Sequence, residues 1–258
     1  MRRIDKPLAG GALLIHRHPL TVRLWHWINL AAMTVLLLSG LQILCAHPAF
    51  YWGETARFAH PFLQLGAMDG VAGQPPARAV PAWLTLPGEL DLGAGRRWHF
   101  FFAWLFAVNG ALYLALGLVG GRLGREMVPS RAQMAHIGRA ILDHARLRFP
   151  HGDEARRYNV LQKLAYLPVV FGLLPLMVLT GLAMSPTLDA AWPLLPTLLG
   201  GRQSARTLHF LSASGLVAFA AVHVAMVILA GPINEMRSMI TGWFVIRPDA
   251  AKAEGEPG

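Results

Sequence analysis

TLHFLSASGLVAFAAVHVAMVILA, running from Thr207 to Ala230, is the stretch that decides how this chain folds. It is apolar for the length that a helix needs to cross a hydrocarbon layer, about 20 residues. Two histidines interrupt it, His209 and His223. Ionisable side chains at membrane depth are costly, face the protein interior and mark function. The two are fourteen residues apart. At about 100° per residue, that spacing comes within roughly 40° of whole turns, so both imidazoles share one helix face. At about 1.5 Å rise they stand about 21 Å apart along the axis, one towards each side of a ~30 Å layer.

Outward from that segment, the composition agrees. The chain has 258 residues, 54% hydrophobic and only 14% charged, where soluble domains carry about 25% charged residues. Three more segments qualify as spanning helices. The four are expected at about residues 21–45, 97–120, 161–184 and 206–230, as an all-α integral membrane protein with one four-helix bundle domain. Pro168 and Pro175 interrupt the third, which packed membrane helices tolerate. Trp25, Trp27, Trp98, Trp192 and Trp243 fall near span ends, where amphipathic rings prefer to lie. The start, Met1 to Pro19, lacks an apolar core of signal-peptide length, so the first span is expected to stay in the mature protein.

Net charge is +9, but the cations sit in the connections between apolar runs. This distribution is a topology signal and not a nucleic-acid surface. Seventeen Lys and Arg fall on one side of the spans and six on the other. The positive-inside rule then puts both termini and the 121–160 loop in the cytoplasm, with the 46–96 loop facing the periplasm or outside. Within the cytoplasmic loop, Met134, Ile137, Ile141 and Leu147 recur near helical spacing among arginines. An amphipathic surface helix is expected over Ser130–Phe149. Its His136 and His144 belong to a solvated interfacial face. Cys45 is the single cysteine, which excludes an internal disulfide and a C-x-x-C-H haem attachment.

Depth pairs the histidines. The first span enters from the cytoplasm, so His26 is near the inner side. The second and fourth enter from outside, so His99 and His209 are near the outer side and His223 is near the inner side. His26 matches His223, and His99 matches His209. Each pair would saturate the iron of one haem b, an arrangement that favours electron transfer over oxygen activation. Gly40 and Gly110 lie on the faces of His26 and His99, and Ser212, Ala213 and Ala220 lie near the fourth helix's histidine stripe. Small residues admit a flat macrocycle, or simply close helix packing. Arg23 and Arg206 each precede a histidine by three residues, and Arg96 and Arg97 precede His99. Arg23, Arg97 and Arg206 are candidate partners for haem propionates; snorkelling into headgroups is the plainer role.

At these residues the chain resembles the bacterial cytochrome b561 family, the di-haem membrane subunits of formate dehydrogenase, nickel–iron hydrogenase and thiosulfate reductase. The resemblance rests on Arg23-Leu24-Trp25-His26-Trp27, Ser39-Gly40, His99, His209 and His223. It implies a four-helix membrane core with His26, His99, His209 and His223 as axial ligands. Tyr158-Asn159-Val160-Leu161-Gln162-Lys163 is similar to the Tyr-Asn-x-x-Gln-Lys stretch beside the quinone site of formate dehydrogenase subunits. That likeness implies Asn159, Gln162 and Lys163 as quinone contacts, although Leu161 stands where those subunits usually have glycine. Capping and headgroup binding is the plainer role for all three. Tyr51-Trp52-Gly53-Glu54, Thr180-Gly181-Leu182-Ala183-Met184-Ser185-Pro186 and Arg237 to Trp243 look most like the thiosulfate-reductase branch, whose subunits often work with a molybdopterin oxidoreductase.

The function expected from all this is electron transfer between a periplasmic redox subunit, of molybdopterin type by the resemblance, and membrane quinone. Two rivals stay open at this level. One is a self-sufficient oxidoreductase of the same fold, passing electrons from superoxide or another small molecule to quinone. The other is a metal or proton transporter whose histidines relay ions, although the four spans hold no Asp or Glu. A purely structural membrane anchor would bind no haem.

Overall fold

The computed structural model describes residues 5–57, 59–66, 78–146 and 159–246. Tyr158, Leu147, Phe149 and the tail from Pro248 lie outside the described residues. Four long apolar helices carry the chain: Leu20–Ala46, Leu92–Val119, Val160–Ala183 and Arg202–Ala230. Only 6% to 22% of the residues in each apolar window are buried within the protein. A water-soluble helix of this hydropathy would bury its apolar side; here the apolar surface is left for lipid.

Two helices start earlier than expected, each for a capping reason. The second begins at Leu92, not near Arg97, because the Asp91 carboxylate accepts the Ala94 backbone N–H at 2.8 Å. The fourth begins at Arg202, not near Arg206. Its first turn is capped by a distant segment: the Gly53 carbonyl accepts the N–H groups of Gln203 (3.0 Å) and Ser204 (3.2 Å), and the Glu54 carboxylate accepts that of Arg202 at 3.1 Å. The third helix contains a π turn, Val169–Leu173, directly after Pro168. Proline lacks the N–H a regular ladder needs, and a π turn accommodates the gap.

The contacts of the chain fall into two compact units. The first comprises Met1–Trp27, Leu112–Val170 and Ala218–Gly258. It adds a feature the sequence pattern did not announce, a three-stranded antiparallel sheet of Lys6–Pro7, Leu13–His16 and Trp243–Ile246. Leu13 pairs with Ile246 and His16 with Trp243, and Ile15, Phe244 and Ile246 form a small core under it. The helix Pro232–Thr241 leads into the last strand. It is held by an Arg17–Glu235 ion pair at 3.3 Å and by the Trp27 indole N–H donating to the Met239 carbonyl at 3.0 Å. The expected single surface helix is two, Arg131–Ala135 and Ile137–Ala145. His136 breaks it at φ −104°, ψ 17°, and Gly138 lowers helix propensity just beyond. A Ser130–Gln133 capping box starts the first piece.

The second unit comprises Ile28–Ala111 and Phe171–Val217. Its connecting segment forms a two-stranded ladder, Ala49–Phe50 with Leu63–Gln64. The buried Thr207 hydroxyl donates to the Tyr51 carbonyl at 2.6 Å, which fastens that segment to the fourth helix. Asn109 donates to Asn29 at 3.0 Å, joining the first two long helices by side-chain amides. In a setting without water, such pairing is what makes polar side chains tolerable.

Candidate metal centres

Each unit holds one pair of histidines close together. In the first, the rings of His26 and His223 have centroids 6.4 Å apart at 53° to one another. In the second, those of His99 and His209 are 6.2 Å apart at 63°. The separations suit one metal ion between each pair. With a metal–imidazole bond of about 2.0–2.1 Å and about 1.1 Å from nitrogen to ring centre, two trans imidazoles sit about 6.3 Å apart. Among the described residues, no group of three or more His, Cys, Asp or Glu gathers for a metal. Two imidazoles alone leave an iron short of ligands unless a macrocycle supplies the rest, which fits haem.

The second pair fixes which ring nitrogen is free to bind. Ser39 and Thr180 are fully buried. The Ser39 hydroxyl donates to the Val35 carbonyl at 2.6 Å and lies 3.1 Å from His99 Nδ1. The Thr180 hydroxyl donates to the Leu176 carbonyl at 2.6 Å and lies 2.9 Å from His209 Nδ1. Each hydroxyl has spent its one hydrogen, so it accepts from Nδ1–H. The Nε2 lone pair of both rings is therefore left for a metal. Gly40 and Gly181 stand beside these rings: a Cβ there would lie 3.4 Å from His99 Cε1 and 3.6 Å from His209 Cε1. Gly40, expected to make room for a macrocycle, is thus seated against an imidazole. A Cβ at Gly110 would meet open space.

The first pair is set differently. The Phe219 ring stacks on His223 at 5.9 Å and 14°, Tyr166 meets it edge-on at 6.3 Å, and Trp27 meets His26 edge-on at 5.3 Å. His26 Nδ1 is buried without a hydrogen-bond partner. Aromatic rings flank both imidazoles of this pair, and no protein acceptor holds His26 Nδ1.

The arginines divide. Arg23 donates to the Ile240 carbonyl. Arg97 is exposed on the second helix, and neighbouring Arg96 lies over the Phe100 ring at 5.5 Å. Arg206 donates to the His47 carbonyl and lies over the Phe50 ring at 5.1 Å. Arg202, which the sequence pattern did not single out, donates to the Met184 carbonyl at 3.1 Å. Both line a cavity of about 650 Å³ together with His47, Tyr51, Met184 and Gln203. The Gln203 side-chain oxygen is buried there without a partner. His47, just past the end of the first long helix, is held below the usual imidazole range by partial burial and then by the Arg206 and Arg96 guanidiniums. It stays neutral and leaves the positive charge to the arginines.

The residues implicated in quinone contact sit at the start of the third long helix. Asn159 accepts the Leu161 N–H at 3.2 Å, and the Gln162 side-chain oxygen accepts the Asn159 N–H at 3.1 Å. The pair is a capping box. Lys163 is buried and donates to the Val128 carbonyl at 3.1 Å. Both amides have their oxygens committed and their NH2 groups outside the cap. Ser39 and Thr180 are the residues that reasoning from spacing passed over. Their signal was a Ser/Thr-Gly pair recurring in the first and third spans.

The family model of prokaryotic cytochrome b561 matches residues 17–242, which include His26, His99, His209 and His223. The chain belongs to the prokaryotic cytochrome b561 family. This cytochrome is 35% identical over 212 residues to a putative protein-methionine-sulfoxide reductase subunit YedZ1 of Azospira oryzae, covering 82% of this chain and 90% of that one. It is 28% identical over 246 residues to a probable Ni/Fe-hydrogenase B-type cytochrome subunit of Cupriavidus necator, covering 86% of this chain and 83% of that one. No solved structure gives a significant match. Family membership makes the chain a multi-pass membrane cytochrome of electron transport that binds haem b.

Proposed function

We propose that this cytochrome b561 binds two haems b and transfers electrons between a periplasmic oxidoreductase subunit and membrane quinone. The carrying observation is the duplication: two histidine pairs, each at the separation that admits one iron. His26 and His223 would hold one haem near the cytoplasmic side, and His99 and His209 the other near the periplasmic side. Bound haem supplies one-electron chemistry, and two imidazoles leave its iron no open position. Arg202 and Arg206, whose guanidiniums donate to the backbone carbonyls of Met184 and His47, supply positive charge for the propionates of the second haem. Arg23 and Arg97 are the further propionate candidates. Asn159, Gln162 and Lys163 would offer N–H donors to a quinone carbonyl at the cytoplasmic end of the third helix.

Orientation follows the positive-inside count, with both termini in the cytoplasm of the inner membrane. The pairing of Leu13–His16 with Trp243–Ile246 agrees with both ends lying on one side, since it puts strands from the two ends of the described chain next to each other. A partner subunit agrees with the names of both relatives, a methionine-sulfoxide reductase subunit and a hydrogenase subunit. A molybdopterin partner is the choice favoured by the resemblance in sequence.

The test is shared loss. Purified His26→Ala and His223→Ala variants should lack the same haem by redox difference spectrum, and His99→Ala and His209→Ala the other. A His223→Ala protein with both haems at full occupancy would refute the pairing.

A further inference from the structure

The hydroxyl–glycine pairs of the first and third helices repeat one device. In each, a buried hydroxyl bonds a carbonyl one turn back, at Val35 or Leu176. It takes the Nδ1–H of a histidine on the next helix of the chain. In each, the hydroxyl also lies within reach of a second carbonyl, Leu36 at 3.3 Å for Ser39 and Met177 at 3.2 Å for Thr180. A glycine follows, against which the ring edge rests. The sequences differ, Leu36-x-x-Ser39-Gly40 and Met177-x-x-Thr180-Gly181, but the geometry is the same. Among the described residues the His26–His223 pair has no counterpart: its ring neighbours are Trp27, Tyr166 and Phe219, and His26 Nδ1 has no acceptor.

We infer that Ser39 and Thr180 are positioning residues that lower the reduction potential of the haem held by His99 and His209 relative to that of the haem held by His26 and His223. This rests on the two-haem assignment above. An acceptor on Nδ1–H draws that proton away, raises the basicity of Nε2 and strengthens its bond to ferric iron. The hydroxyl's own bond to a carbonyl polarises it and reinforces the effect. Stabilising ferric over ferrous iron lowers the potential. A pair lacking such acceptors is the better electron acceptor, so the chain's own hydrogen bonds build a step from the His99–His209 side towards the His26–His223 side. The two cradles also fix ring orientation, since a ring with Nδ1 held and its edge against glycine cannot turn freely.

The experiment is a potentiometric titration of the purified holoprotein in detergent, read by reduced-minus-oxidised absorbance, for Thr180→Val, Thr180→Ser and Ser39→Ala. Valine keeps the shape of threonine and removes the acceptor; serine keeps the acceptor and removes the methyl. Thr180→Val should raise the potential of the haem that His209→Ala lacks. Outer hydrogen-bond partners are worth about tenfold or more in metal affinity, and a tenfold change felt by ferric iron alone is about 59 mV for one electron. The other haem should not move, Thr180→Ser should stay at the wild-type potential, and Ser39→Ala should shift the same haem in the same direction. Loss of that haem from Thr180→Val but not from Thr180→Ser would support the holding role equally. Two haems at unchanged potentials in both Thr180→Val and Ser39→Ala would overturn the inference alone. So would equal shifts from Thr180→Val and Thr180→Ser. A wild-type protein with fewer than two haems would overturn the two-haem assignment and the inference with it.

Discussion

Replacing Gly201 with alanine should release the loop that caps the fourth helix. Gly201 has φ +102°, and a Cβ there would stand 2.5 Å from the Gly53 carbonyl carbon, 2.6 Å from its oxygen and 2.7 Å from the Glu54 nitrogen. These are backbone atoms, so no rotamer change relieves the contact. The left-handed conformation adds strain for any residue with a Cβ. The cheaper escape is for Gly53–Glu54 to leave the helix start. That gives up the N–H bonds from Gln203 and Ser204 to the Gly53 carbonyl, the bond from the Gly53 N–H to Ser204 at 2.8 Å and the Arg202–Glu54 bond. Each is worth about 0.5–1.5 kcal/mol net, and water replaces part of that, so about 2 kcal/mol is lost together. At 1.36 kcal/mol per decade this is about a thirtyfold fall in protection. The assay is amide hydrogen exchange in detergent at Gly53, Gln203 and Ser204, with amides of the Leu20–Ala46 helix as internal reference. Unchanged protection at those three amides would refute the docking geometry.

Thr207→Val removes the buried donor to the Tyr51 carbonyl. It should cost about 2 kcal/mol, or a thermal midpoint lower by about 4–8 °C, measured by scanning fluorimetry. Asn159→Asp separates the two roles of that residue. Aspartate keeps the helix cap and loses the NH2 donor, so the thermal midpoint should hold while the KM for a soluble quinone analogue rises. Asn159→Ala should lower the midpoint as well, by the ~1 kcal/mol of a lost cap.

The long helices were legible because span length and apolarity are local properties, and histidine depth follows from helix rise alone. Arg202 and the fourth helix's true start were not legible, because the cap comes from Gly53 and Glu54, about 150 residues away in the chain. The sheet was hidden for the same reason: Leu13–His16 finds its partner only at Trp243–Ile246. Asp91 was legible and passed over, since an Asp before an apolar run is an N-cap signal. Ser39 and Thr180 lay in view as parts of quoted motifs. Their role needed the fold, because each serves a histidine on another helix. Asn159 and Gln162 show the converse. Their spacing reads equally as a cap or a ligand contact, and the structure seats their oxygens in the cap.

The central claim is that one chain binds two haems, each between two histidines. A pyridine haemochrome assay of the detergent-purified wild-type protein, set against its protein concentration, tests it most directly. Two b-type haems per chain are expected, both low-spin in the oxidised and reduced states. One haem per chain, or none after expression with ample haem, would contradict it.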